Sequence, residues 1–216
     1  MRVAVSADLT FAFVTFTAVF FVVDPIAAVP IFLSITKGES ADKRRDIAWR
    51  AALAAGITLT AFGLAGGALF KAFGISLAAF KTAGGLMLLL MAVDMMRAQP
   101  SRTRTSQEEQ AESAKKEDPA VVPLAIPMLA GPGAIATVMV FMSRAAWQPI
   151  PTIIVLASVA VTATVAWLLL RMAASAEKFL RQTTMHVLER VMGLLLAAVA
   201  VEFLVGGLRE MWARGL

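Results

Sequence analysis

Few of the chain's charged residues fall inside its apolar stretches, and the most deeply placed of them is Asp24, in the segment FFVVDPIAAVPIFLS at 20–34. It lies about 15 residues into the apolar run from Leu9 to Thr36, hence about 22 Å along a helix rising 1.5 Å per residue. That depth is inside a bilayer, past its centre. A carboxylate there costs roughly 2.5–3.5 kcal/mol on insertion scales, so it is a candidate for binding an ion or a substrate. Pro25 and Pro30 follow it. Proline has no backbone donor and its ring collides with the preceding turn, so the helix must bend or unwind here. Freed backbone groups are tolerated in lipid only where they face protein or a wet cavity. A second role for Asp24 is purely structural: N-cap of the half-helix that Pro25 begins. The two roles are compatible.

The second candidate is VVPLAIPMLAGPGAIATVMVF at 121–141, ending its break in Gly131-Pro132-Gly133. It carries no acid. Exposed amides at the start of the half-helix after Pro132 would instead hold an anion. The competing reading is a set of kinks for tight helix packing. Secondary candidates are Asp94 and Glu202, read as lying near opposite ends of their helices, at headgroup level. Lys81 is expected to snorkel toward its outer helix end. Gly63 and Gly67 form a small-residue packing pair. Trp49 and Trp147 read as interfacial anchors, and the lone His186 as an interfacial residue at a helix start.

Enzyme signatures are lacking. With no cysteine there is no thiolate nucleophile or thiolate metal site, and no HExxH, GxSxG or phosphate loop occurs. The expectation is a non-enzyme with no metal and no cofactor.

The elements that must hold these residues follow from composition. Of 216 residues 59% are apolar and 16% charged, with a mean hydropathy of +0.76. A soluble domain is nearer half apolar and a quarter charged, so the chain is read as an all-α membrane protein. Spans are expected over Leu9–Thr36, Ala51–Phe70, about Ile75–Met96, Ala120–Ser143, Ala145–Leu170 and about His186–Leu208. The first is read as a retained helix rather than a signal peptide, because it is too long and five more follow. Six spans leave 14 Lys or Arg in the 37–50, 97–116 and 171–190 segments, against five in the termini and the remaining loops. Positive residues concentrate on the cytoplasmic side, so both termini are expected to face outward. The net charge of +5 reflects this bias; no basic stripe with interleaved aromatics points to nucleic acid.

GLMLLLMAVDMM at 85–96 aligns without gaps on GLLLAAVAVEFL at 193–204, with Asp94 over Glu202, an offset of 108. Pro25 and Pro132 are 107 apart. Residues 1–96 and 120–216 are therefore read as two three-helix repeats joined by a polar cytoplasmic linker, 97–119, which lacks the apolar residues to build a core. An odd number of spans per repeat inverts the second unit. The expected fold is six transmembrane helices in two inverted repeats, with helices 1 and 4 broken or kinked, an architecture of secondary transporters.

DPIAAVPIF, ADKRRDIAWRAA, FKTAGGLMLLLMAVDMM, VPLAIPMLAGPGAIATVM and LERVMGLLLAAVAVEF resemble the MarC family of bacterial inner-membrane proteins over nearly the whole chain. The resemblance implies six transmembrane helices and, for some members, transport of small neutral amino acids; in a bacterial inner membrane the termini that the charge bias turns outward are expected in the periplasm. Two features depart from the family pattern that the resemblance implies: Ala27-Ala28 stand where Gly-Asn is usual, and Glu202 where Gln is usual. The function expected is a secondary transporter of small solutes, with neutral amino acids as the class and a proton or another cation as coupling ion. Its partners are then the lipid bilayer and that solute. The alternative is a channel or a non-transporting membrane-assembly or lipid-handling protein.

Overall fold

The computed structural model describes residues 2–97, 118–175 and 182–213. Nearly all of the 97–119 linker, and the side chain of His186, lie outside the described residues. Every regular element among those described is helical: α1 (Arg2–Val23), α2 (Pro25–Ile35), α3 (Ala41–Phe73), α4 (Leu77–Met96), a π-type segment π1 (Ala120–Leu129), α5 (Pro132–Ala145), α6 (Pro149–Ser175) and α7 (Gln182–Ala213). Five stretches are long and apolar enough to cross a membrane: Asp8–Ile35 across the α1–α2 break, α3, α4, α6 and Arg190–Ala213 of α7. The expected fourth span is divided between π1 and the 14 residues of α5.

Local chemistry sets the helix ends. Ser40 Oγ accepts from the Lys43 amide at 3.3 Å to start α3, and Ser76 Oγ accepts from the Ala79 amide at 3.1 Å to start α4. Between them Gly74, at φ 64°, closes α3 in the left-handed region that glycine enters without a Cβ clash. The α3 helix begins ten residues before the uncharged run at Ala51, carrying the charged ADKRRD turn out of the apolar layer.

Packing follows a reciprocal pattern. α4 lies along α7 and α3 along α6; α1 and α2 pack on α6, while π1 and α5 pack on α3. Glycines permit the closest approaches. A Cβ on Gly85 would stand 2.7 Å from the Leu204 backbone nitrogen, and one on Gly193 would stand 3.1 Å from the Ala92 carbonyl oxygen. One on Gly207 would stand 2.8 Å from the Ala78 carbonyl oxygen, so glycines of both helices line the α4–α7 seam, where backbones meet. On α3, Gly56 packs against Ala163 of α6, and Gly63 and Gly66 pack against Val138 and Met139 of α5; Gly67 has nothing within 4 Å. The expected Gly63–Gly67 pair is therefore corrected to Gly63–Gly66, because α5 approaches the face that carries Gly66.

Candidate functional site: two helix breaks

The first break is a single residue. Asp24 adopts φ 52° and ψ 67°, a left-handed conformation that Asp and Asn enter more readily than other side-chain-bearing residues. Its amide donates to the Phe20 carbonyl at 3.0 Å, closing α1. Its Oδ1 accepts from the Ala27 amide at 3.2 Å, capping α2. Pro25 then occupies the first helical position, where its missing donor costs nothing. The expected cap is present, in a left-handed rather than the usual extended conformation, since one residue must both end a helix and begin another. Asp24 is 0% exposed, among Val22, Val23, Ala28 and Phe32 of the core. Pro30 lies inside α2 and cannot donate to the carbonyl one turn earlier.

The second break is spread out. Val122 (φ −125°, ψ 123°) and Ile126 (φ −129°, ψ 124°) are extended inside π1, and Gly131 (φ −73°, ψ 170°) is extended before α5. Each precedes a proline, Pro123, Pro127 or Pro132, whose ring disfavours the helical region for the residue before it. Gly131 is the N-cap of α5 and has no side chain to place over the first-turn amides. Gly133 is buried for a packing reason: a Cβ there would stand 2.5 Å from Leu88 Cδ2, and its carbonyl already accepts from the Thr137 hydroxyl at 2.8 Å. Of the three residues Gly131-Pro132-Gly133, the last serves the α4–α5 contact. The two breaks belong to touching elements: α2 contacts π1, and α1 contacts α5.

Other intramembrane polar groups divide between structure and site. Lys81 is buried, 3% exposed, and its Nζ donates to Glu210 Oε1 at 2.7 Å. That overturns the snorkelling expectation; the partner lies on α7, which runs to Ala213 rather than stopping at Leu208. Glu202 is exposed and stands level with the middle of α4, because neighbouring Ala200 and Leu204 face Gly85. It is about 18 Å along the helix from Arg190, near the middle of the Arg190–Ala213 apolar stretch rather than near one of its ends as expected. Asp94 is half-buried in the last turn of α4, as expected. Trp49 and Trp147 are both exposed, at 49% and 61%.

Sequence reasoning did not single out Thr15 or Arg44. Arg44 is buried, and its Nε donates to the Thr36 carbonyl at 3.1 Å, supplying positive charge at the C-terminal end of α2. Thr15 and Thr162 are 0% and 1% exposed, and their hydroxyls have no hydrogen-bond partner among the described residues. Thr36, Thr137 and Ser158, by contrast, donate to carbonyls one turn back. Thr15 and Thr162 lie on α1 and α6, which pack together.

The chain is 36% identical over 207 residues to the UPF0056 membrane protein YvbG of Bacillus subtilis, covering 94% of this chain and 98% of the relative. It is 34% identical over 203 residues to the UPF0056 membrane protein YhcE of Escherichia coli, covering 94% of each. A UPF0056 membrane protein of Pyrococcus abyssi is 34% identical over 200 residues, 93% of this chain and 94% of the relative. No solved structure matches. The family model described as "MarC family integral membrane protein" matches residues 9–212, and the chain belongs to that family.

Proposed function

We propose that the chain is a secondary transporter of small solutes, with neutral amino acids as the substrate class, acting without enzymatic chemistry. One observation carries this reading: one break holds a fully buried carboxylate, and the other begins a half-helix with no side-chain cap on its amides. A neutral amino acid is a zwitterion. Its ammonium needs an acceptor such as Asp24, and its carboxylate needs donors at a positive helix end. Secondary transporters place such sites where discontinuous helices meet near the midplane. A proton or cation that drives transport would use the same carboxylate. Because Asp24 is 0% exposed, access requires α2 to move.

Six crossings arranged as two inverted repeats, 1–96 and 120–216, joined by a cytoplasmic 97–119 segment, belong to the same proposal. Corresponding elements begin at Pro25 and Pro132, Ala41 and Pro149, and Leu77 and Gln182, with separations of 107, 108 and 105 residues. The reciprocal packing of each half's broken helix on the other half's long helix supports it further. The charge asymmetry of the loops supports an inner-membrane orientation with both termini periplasmic. Purified protein in liposomes, tested for counterflow of labelled glycine, alanine and serine, decides the matter. Saturable counterflow is expected; flux that rises linearly with solute, or none for any of the three, would contradict a carrier.

A further inference from the structure

A groove of about 600 Å³ runs along the outer face of the α3–α6 seam, away from both breaks. Its floor is made of small residues: Gly56 meets Ala163, where a Cβ would stand 3.3 Å from the Ala163 Cβ, and Ala160 is exposed beside them. Its sides are exposed aliphatic residues, Leu53, Ile57 and Leu64. From Trp49 to Leu64 the groove follows about 22 Å of helix, longer than the ~15 Å that half of a ~30 Å hydrocarbon core provides.

One end of the groove differs chemically from the rest. Trp49 and Trp167 line it there as an edge-to-face pair with ring centroids 5.5 Å apart. The Arg171 guanidinium lies 5.3 Å from the centre of the Trp167 ring, and Arg171 pairs with no carboxylate among the described residues. Arg45, one turn beyond Trp49, reaches across the seam to Ser175 Oγ at 3.4 Å. Acids are also present at this end: Asp42 lies 3.4 Å from Arg45, Asp46 lies 3.7 Å from Arg50, and Asp118 also contacts Arg50. Among the described residues that line or flank the groove, Arg171 has no such acid beside it. These residues stand where the uncharged runs of α3 and α6 end, the level at which tryptophan and arginine meet lipid headgroups.

We infer that the α3–α6 groove is a binding site for an anionic phospholipid of the leaflet at the Trp49–Trp167 end. One acyl chain lies over Gly56, Ala160 and Ala163, and the phosphate sits against Arg171 and Arg45. A planar guanidinium suits phosphate, and it is held in place here by the indole face beneath it. The inference is independent of the solute carried at the helix breaks.

The test uses the full chain with Trp147→Phe and Trp212→Phe, leaving Trp49 and Trp167 as the only tryptophans, in vesicles that mix brominated and plain lipids. Brominated phosphatidylglycerol is expected to quench the remaining fluorescence with several-fold higher apparent affinity than brominated phosphatidylcholine. Arg171→Gln with Arg45→Gln should bring that ratio close to one, and Arg171→Lys alone should retain most of it. Ala160→Phe, at an exposed position, should weaken quenching by both lipids; Thr164→Phe repeats that test should the first variant misfold. Equal quenching by the two lipids in the parent, or a preference untouched by the double arginine variant, would overturn the inference. So would a second copy of the chain in the groove: because the chain has no cysteine, Ala160→Cys reports it directly as a disulfide-linked dimer in vesicles.

Discussion

The two helix breaks, at Asp24 and at 122–131, are built from opposite materials. At Asp24 a single left-handed residue closes one helix, caps the next through its own carboxylate, and contributes a buried acceptor. At 122–131 three extended residues, each forced by a following proline, lead to a half-helix that no side chain caps. A break can therefore be satisfied from within or left open to a partner. The first break is self-sufficient and carries a carboxyl group, and the second has donors to offer. On the proposed function, a site spanning both would take a molecule with a positive and a negative end.

Substitutions that erase the difference should show it. The largest effect is expected from Asp24→Ala, which removes the cap, worth roughly 0.5–2 kcal/mol, and forces alanine into the left-handed region at roughly 1–2 kcal/mol more. Thermal melts followed by helical circular dichroism should show clear destabilisation, with Asp24→Gly recovering the backbone part alone.

Next comes Thr162→Val. A buried hydroxyl without a partner costs roughly 1–3 kcal/mol that an apolar replacement of the same shape does not, so this variant is expected to melt higher. A lower midpoint would mean the hydroxyl is satisfied after all.

The smallest structural effect belongs to the second break. Gly131→Ser places a hydroxyl at an N-cap whose extended conformation suits it, for a gain of a few tenths of a kcal/mol. If the open amides of α5 hold substrate, the same variant should raise the concentration needed for half-maximal counterflow. Unchanged transport would assign that break to packing alone.

Both breaks were legible in the sequence because proline acts locally. Pro25 stands at the interruption of its span, whereas Pro30, expected to break it as well, sits inside the continuous α2; Val122, Ile126 and Gly131 are extended for the reason that any residue before proline tends to be. The left-handed geometry of Asp24 was not legible, since it depends on closing α1 and opening α2 at one residue. Contacts between distant segments were also hidden. Lys81 finds Glu210 across 129 residues, and the choice of Gly66 over Gly67 depends on the direction from which α5 approaches. Arg44 did leave a signal: it falls on the helical stripe of Ala48, Ala51, Ala55 and Leu59, all buried, which places an arginine on an inward face.

The most direct test of the central claim is Asp24→Asn in proteoliposomes under an imposed pH gradient. Asparagine tolerates the left-handed conformation and caps helices about as well as aspartate, so the variant should insert, purify and melt as the parent does. It lacks only the titratable charge. Loss of gradient-driven accumulation of the neutral amino acid, with stability intact, is the expected result. Accumulation equal to the parent's, with the same pH dependence, would reduce Asp24 to a helix cap and contradict its role in transport.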